Sequence, residues 1–270
     1  MMATSGASPE GAASERDAAR WVRTMFGRVA RRYDLANHLL SANVDRHWRA
    51  HTVRRVRAVL NRSDARVLDL ACGTGDLLLA MEREARRALI GSDFCHPMLA
   101  AAKAKLARNG FHSALLEADA LALPAANETF DLITIAFGFR NFANYSSALS
   151  ELRRVLRPGG VLAILEFTRP PNRLFATAYN WYSRRVLPLL GGLISGAPDA
   201  YRYLPDSVRK FPDAPALAEW MKCAGFDRVE WEYLSFGIAA LHLARAGEPL
   251  LNSKWFKNQA EAVITRRSEA

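Results

Sequence analysis

The chain has 270 residues, 50% hydrophobic and 24% charged. That is enough to bury one large α/β core or two small ones, and too apolar for wholesale disorder. The longest apolar run, Val186 to Ile194, is broken by Pro188 and Gly191-Gly192 and falls well short of the roughly 20 residues of a membrane helix, and the polar start offers no secretory signal. A formal net charge of +10 admits nucleic acid, anionic lipid headgroups or an acidic partner.

In chain order, residues 1–15 read as a disordered leader. Residues 16–62 read as a helical N-terminal cap: Trp21, Met25, Val29 and Tyr33 recur at spacing four, and Trp48, Thr52, Val56 and Val59 follow at three and four. The cap carries twelve Arg, no Lys and three Asp, which is either a solvated helical face or a docking patch for an anionic surface. From residue 63 to 244 short apolar runs alternate with helical patterns. The runs are 66–70, 88–92, 113–117, 130–137 and 160–166; the helices are clearest at 76–87, 98–109 and 145–156. Buried strands separated by crossover helices predict an α/β fold with a mainly parallel sheet. After a helix near 214–224, the stretches 227–235 and 237–244 predict an antiparallel hairpin on one edge, and a parallel sheet finished in this way resembles the seven-stranded, Rossmann-like sheet of class I methyltransferases.

Between the fifth strand and that helix lies an insertion, residues 167–212, with six prolines and with Phe175, Tyr179, Trp181, Tyr182, Tyr201, Tyr203 and Phe211. So long an insertion in a compact domain reads as a lid or binding element. The tail, 245–270, has no assigned role. Cys72, Cys95 and Cys223 stand far apart, with no metal-ligand spacing and no even count for a disulfide framework. A reduced, cytoplasmic setting and chemistry without a metal are therefore expected.

The decapeptide Val67-Leu68-Asp69-Leu70-Ala71-Cys72-Gly73-Thr74-Gly75-Asp76 ends the first strand, where open α/β sheets bind ligands. Gly73 and Gly75 allow a sharp turn and close approach of a ligand. A dinucleotide fingerprint wants a third glycine where Leu78 stands, so a pyrophosphate is poorly served. Asp69, ahead of the glycines, suits a cationic ligand instead: S-adenosyl-L-methionine carries a sulfonium and an ammonium. Asp93, ending the second strand, is placed to accept from both ribose hydroxyls. Asp119, with the Ala120 amide beside it, is placed for the adenine. The competing reading of such carboxylates is helix capping, which fits Asp76 best.

Three further stretches make the resemblance closer than a superfamily. Tyr33-Asp34-Leu35-Ala36-Asn37 with Ser41 and Asp45-Arg46-His47-Trp48, and Arg154-Val155-Leu156-Arg157-Pro158-Gly159-Gly160 through Leu165-Glu166-Phe167, resemble the two signatures of the ubiquinone/menaquinone biosynthesis C-methyltransferases. Phe137-Gly138-Phe139-Arg140-Asn141 and Tyr201-Arg202-Tyr203-Leu204-Pro205-Asp206-Ser207 are similar to theirs as well. The resemblance implies C-methylation of a polyprenylated quinol: demethylmenaquinol to menaquinol, or the methoxy-benzoquinol step of ubiquinone synthesis. It places the methyl donor on Thr74, Asp93, Asp119 and Ala120, and at Ala136, where family members usually have serine. It also places Arg140 and Asn141 in the active site. Asp45 stands where many members have histidine, so no histidine role is carried over there.

Carbon methylation of a quinol needs a phenolic proton removed, and the developing phenolate stabilised. Arg140 is read as the stabilising charge, Tyr33 as a pocket residue, and His38 and His47 as weaker candidates for the proton. Tyr201 and Tyr203 are expected to line the quinol pocket. A substrate resident in the bilayer implies peripheral contact with the inner face of an anionic membrane, through segment 16–62 and the run 186–194. Oligomeric state stays open, a homodimer included. Two rivals from other classes remain: an RNA methyltransferase, which the basic cap permits although no RNA-binding module is recognisable, and a non-catalytic lipid-binding assembly factor that kept the fold.

Overall fold

A computed structural model describes residues 6–30, 34, 41, 43–185 and 198–247. Tyr33, His38 and the run 186–194 lie outside these, as do residues 1–5 and the tail from 248. Of Tyr201 only the backbone is described.

Seven strands form one sheet: β1 Val67–Leu70, β2 Ile90–Asp93, β3 Ala114–Glu117, β4 Phe130–Ala136, β5 Leu156–Phe167, β6 Phe226–Leu234 and β7 Ala239–Ala246. Their order is β3-β2-β1-β4-β5-β7-β6. The first five are parallel, and β7 runs antiparallel between β5 and β6. The predicted hairpin is thus present, with its second strand inserted on the inner side. After β3 the chain returns to the other side of β1, so the strand order reverses between β1 and β4, and the crevice at their carboxyl ends is the ligand position in such sheets.

Helices cover both faces. Ser14 caps the start of α1 (Glu15–Val29), its hydroxyl accepting from the Asp17 amide. Then come α2 (Val44–Leu60), α3 (Asp76–Ala85), α4 (His96–Arg108) and α5 (Tyr145–Val155). The insertion supplies α6 (Arg173–Arg185) and α7 (Pro198–Lys210), and α8 (Ala214–Cys223) precedes the hairpin. The described part of the insertion is thus mostly helical. One core packs Ile133 and Ile135 of β4 against Leu149 and Leu152 of α5 and Leu217 and Met221 of α8. The other packs Leu132 and Ala163 against Val53, Val56 and Leu60 of α2 and Leu77, Leu78 and Met81 of α3. β4 is buried on both faces, which is why its sequence is nearly continuous in apolar residues.

Two expectations change here. The second helix of segment 16–62 lies on the sheet itself, so α2 is a layer of the domain, not part of a detachable cap. Residues 6–9 of the supposed leader are docked: Ala7 is buried and donates its amide to the Phe142 carbonyl at 2.8 Å, and Ser8 accepts from Lys210 at 2.7 Å. Small side chains allow this approach, since a Cβ on Gly6 would overlap the Ala143 carbonyl at 1.8 Å.

Several of the arginines of segment 16–62 are ion-paired, most of these to residues outside it. Arg23 pairs with Glu117, Arg49 with Asp45, Arg55 with Glu230 and Glu232, Arg57 with Glu84, and Arg62 with Asp64 and Asp131. Part of the segment's positive charge is thus met inside the molecule.

Candidate active site

The turns that leave β1 and β4 abut one another, and both are built from backbone in the left-handed region. Ala71 (φ 53°), Gly73 (φ 54°) and Gly75 (φ 84°) shape the first, and Phe137 (φ 59°) the second. Alanine and phenylalanine in that region carry strain, which concentrates at functional sites. Gly138 lets the turns touch: a Cβ there would lie 2.6 Å from Ala71 Cβ. No atom lies within 4 Å of where a Gly73 Cβ would stand, so a ligand can approach the backbone there. Gly75 is structural: it starts α3 as the residue before its first turn and packs against Ala102. Leu78, which replaced the third glycine, is fully buried over Gly91, where a Cβ would meet it at 2.6 Å. The close helix–strand contact is therefore made by a glycine on the strand.

Around these turns a pocket is lined by Asp69, Gly73, Thr74, Asp93, Asp119, Ala120, Ala136 and Asn141. Seven of these are residues expected to hold the donor and Asn141 was expected in the active site, whereas Gly75 and Arg140 are not among the lining residues. Asp93 is buried, and its two carboxylate oxygens accept from the Gly73 and Cys95 amides, each at 2.9 Å. It fixes the glycine loop and retains lone pairs for ribose hydroxyls; burial pushes its carboxyl above the usual range. Asp119 is exposed and accepts from the Leu121 amide at 2.9 Å.

Asp69 is buried beneath the loop, and Thr134 Oγ1 donates to its Oδ1 at 2.7 Å. Its Oδ2 has no hydrogen-bond partner among the described residues. Loss of solvent pushes its carboxyl up to about 7, against hydrogen bonds and the charge of Arg49. Asn141 is the second residue with capacity to spare: its amide donates weakly to the Phe137 carbonyl at 3.5 Å and its buried Oδ1 has no partner. Two unpartnered acceptors among the pocket residues fit a ligand that brings its own donors. Four lining carboxylates (Asp69, Asp76, Asp93, Asp119) fit one that brings positive charge.

Arg140 is adjacent but differently used. Its guanidinium donates to Glu166 Oε1 at 2.8 Å, to the Phe137 carbonyl at 2.5 Å and to Ser207 at 3.3 Å, and lies 5.4 Å over the Phe167 ring. The other Glu166 oxygen accepts from the Arg140 amide at 3.1 Å. Arg140 is thus half of a buried ion pair that clamps the β4–α5 turn, so the charge expected to stabilise a phenolate is shared with Glu166. Tyr203, from α7, has a buried hydroxyl without a partner and a ring 5.0 Å from Trp21; burial raises it to about 12.

Three contributors escaped the sequence reading. Lys105 donates to Asp34 and Asp76, each at 2.6 Å, and to Thr74 Oγ1 at 3.2 Å, while Thr74 Oγ1 donates to Asp34. Asp34, part of the first signature, ties the N-terminal segment to the glycine loop. Asp76, read as a helix cap, is the first helical residue and faces Lys105. Arg49 also lines the pocket and was hidden among eleven other arginines. His47 only faces the Asn43 carbonyl at 3.4 Å. Among the described residues no group of three or more His, Cys, Asp or Glu is arranged to hold a metal ion.

The sequence model of the ubiE/COQ5 methyltransferase family matches residues 12–246. A demethylmenaquinone methyltransferase of Thermus thermophilus is 53% identical over 220 residues, covering 81% of this chain and 98% of the relative. A ubiquinone/menaquinone biosynthesis C-methyltransferase of Geobacter sulfurreducens is 42% identical over 230 residues, covering 84% and 88%. Among solved structures, a SAM-dependent methyltransferase of Thermotoga maritima superposes with TM-score 0.60 at 16% identity, covering 83% of this chain and 99% of that one. The [4+2]-cyclase SpnF superposes at 0.53 with 17% identity, covering 72% and 80%. The structural likenesses show the fold, and the cyclase shows that the fold alone does not set the chemistry.

Proposed function

Because the chain belongs to the ubiE/COQ5 methyltransferase family, we propose that it is an S-adenosylmethionine-dependent C-methyltransferase that converts demethylmenaquinol to menaquinol. The observation that carries the reading is the 53% identity to a demethylmenaquinone methyltransferase over nearly its whole length. The four-carboxylate pocket at the β1–β4 crevice supports the donor. Relatives named for both ubiquinone and menaquinone keep the methoxy-benzoquinol as the second substrate reading.

When bound, the donor supplies a methyl group whose S–C bond breaks as the ring carbon–methyl bond forms. Asp93 holds the ribose and the glycine loop together, and Asp119 with the Ala120 amide receives the adenine. Asp69 Oδ2 takes a donor from the methionine moiety. Asn141 offers its spare carboxamide oxygen to a quinol hydroxyl, orienting it without itself taking the proton. Arg140 acts as a positioning residue: paired with Glu166, it keeps the turn carrying Asn141 in place. Tyr203 lines the acceptor side with its unpartnered hydroxyl, and Tyr33 and Tyr201 are assigned there with it.

A polyprenyl acceptor implies contact with the cytoplasmic, anionic face of a membrane, and we include that contact in the proposal. No helix among the described residues is long and apolar enough to cross a membrane. Support for a peripheral contact comes from Leu174 and Trp181 of α6 and Phe236 of the β6–β7 turn, 85%, 65% and 82% exposed. α6 also carries three arginines and no acidic residue. Methyl transfer from labelled donor to reduced demethylmenaquinone and to the methoxy-benzoquinol, side by side, tests the chemistry. Transfer to the naphthoquinol is expected; transfer to the benzoquinol alone would replace the substrate, and transfer to neither, with donor binding intact, would remove the quinol reading. Sedimentation with anionic vesicles, weakened by Trp181→Ser and Phe236→Ser, is the expected sign of the membrane contact; equal sedimentation of the variants would count against it.

A further inference from the structure

The pocket is acidic, yet the donor assigned to it carries one carboxylate. Four of the lining side chains, Asp69, Asp76, Asp93 and Asp119, are carboxylic acids. They suit the sulfonium and ammonium, but an amino-acid carboxylate placed among them is repelled unless a cation meets it. Among the described residues lining the pocket, one side chain is cationic: Arg49.

Arg49 comes from α2, on the far side of the crevice from the ribose-binding strand end. It is 11% exposed, so the charge is little screened. Its position is set from three sides. One terminal nitrogen pairs with Asp45, one turn back on α2, which in turn accepts from Ser41 at 2.6 Å. The guanidinium lies 5.3 Å over the Phe137 ring, at the strained turn after β4. The second terminal nitrogen stands 4.0 Å from Asp76, beyond hydrogen-bond distance, and Asp76 is itself held by Lys105 at 2.6 Å. A guanidinium has five N–H donors in a planar fork, so its pairing with Asp45 leaves donor capacity for a second carboxylate.

From this geometry we infer that Arg49 is the binding site for the α-carboxylate of the methyl donor, with Asp69 Oδ2 taking the neighbouring ammonium. The inference rests on the donor reading above and extends it to a residue outside the glycine loop. A paired cation and unpartnered carboxylate oxygen in one pocket match the zwitterion of an α-amino acid. Recognition is thereby split between the strand ends, which hold the nucleoside, and α2, which selects for an intact amino-acid tail. Arg49 is then a specificity residue that discriminates against nucleoside thioethers lacking the carboxylate.

The test is calorimetric binding of two ligands, S-adenosylhomocysteine and its decarboxylated analogue, to the full chain. Wild type is expected to bind the first at least about tenfold more tightly, because a charge-assisted contact is lost with the second. Arg49→Met is expected to lose that preference, weakening S-adenosylhomocysteine about tenfold or more while changing the analogue less than about threefold. Arg49→Lys should recover part of it. Since Arg49→Met strands the buried Asp45, the double variant with Asp45→Asn serves if the single one fails to fold, and the wild-type comparison needs no variant at all. Equal affinity of wild type for the two ligands, or an equal loss of both on substitution, overturns the inference. If wild type binds neither, the donor reading itself fails and takes the inference with it.

Discussion

Around the glycine loop, Asp69 and Asn141 are left with spare capacity, whereas a few residues away, behind the β4 turn, Arg140 and Glu166 are matched to each other. Asp69 Oδ2 and Asn141 Oδ1 have no partner, and Asp93 spends its hydrogen bonds on backbone amides that shape the loop. Arg140 and Glu166, by contrast, satisfy each other and the turn at once. The first arrangement is incomplete without a ligand; the second is complete and holds the first in shape. Charge in a site is thus no guide to contact with substrate, and the two regions should respond to substitution in different ways.

The largest effect should come from the matched region. Arg140→Ala or Glu166→Ala leaves one buried charge unpaired, which costs about 3–5 kcal/mol. Urea denaturation should show that loss for either single variant, and a much smaller one for the double variant Arg140→Met with Glu166→Leu. Near-equal losses for single and double variants would break the comparison. Next, Gly138→Ala should cost about 1–3 kcal/mol and weaken donor binding, because its Cβ meets Ala71 at 2.6 Å. Thermal denaturation and calorimetry would read the two effects.

The unsatisfied region should respond to pH. The Asp69 carboxyl, raised to about 7 by burial, is neutral below that pH and ionised above it. A ligand ammonium favours the ionised form, so affinity for S-adenosylhomocysteine should rise by up to about tenfold between pH 6 and 8. Asp69→Asn should flatten the profile. The same raised carboxyl acts on stability with the opposite sign. Folding favours the neutral form, so its contribution is fully present below the unfolded value and is lost as pH rises through 7. The smallest expected effect is at Tyr203: with no partner for its hydroxyl, Tyr203→Phe should alter stability by less than about 0.5 kcal/mol. Any fall in quinol turnover then reports substrate contact and not folding.

What was legible in the sequence follows from the same contrast. The loop residues are contiguous, their chemistry is local, and a strand followed by glycines and a carboxylate states its geometry outright. Seven of the eight residues expected to hold the donor, all but Gly75, line one pocket together with Asn141. The parallel sheet was readable because β1 and β4 are nearly unbroken apolar runs bounded by turn signals. The pairing of Arg140 with Glu166 was not legible, because Glu166 lies on another strand and nothing in the local sequence says that two residues 26 apart will pair in the core. Lys105, Asp34 and Arg49 escaped for a like reason: each reaches the loop from a separate helix or segment, and a basic residue on a helix looks solvated until its neighbours in space are known. Docking of residues 6–9 was invisible because small polar residues resemble a linker until a facing turn accepts them.

The proposal that Asp93 serves the methyl donor and Tyr203 the acceptor is tested most directly by steady-state methyl transfer with Asp93→Ala and Tyr203→Phe, varying each substrate in turn. The account predicts a raised KM for S-adenosylmethionine only in the Asp93 variant and a raised KM for demethylmenaquinol only in the Tyr203 variant. If either substitution raises both KM values alike, or the effects are exchanged, the division is wrong.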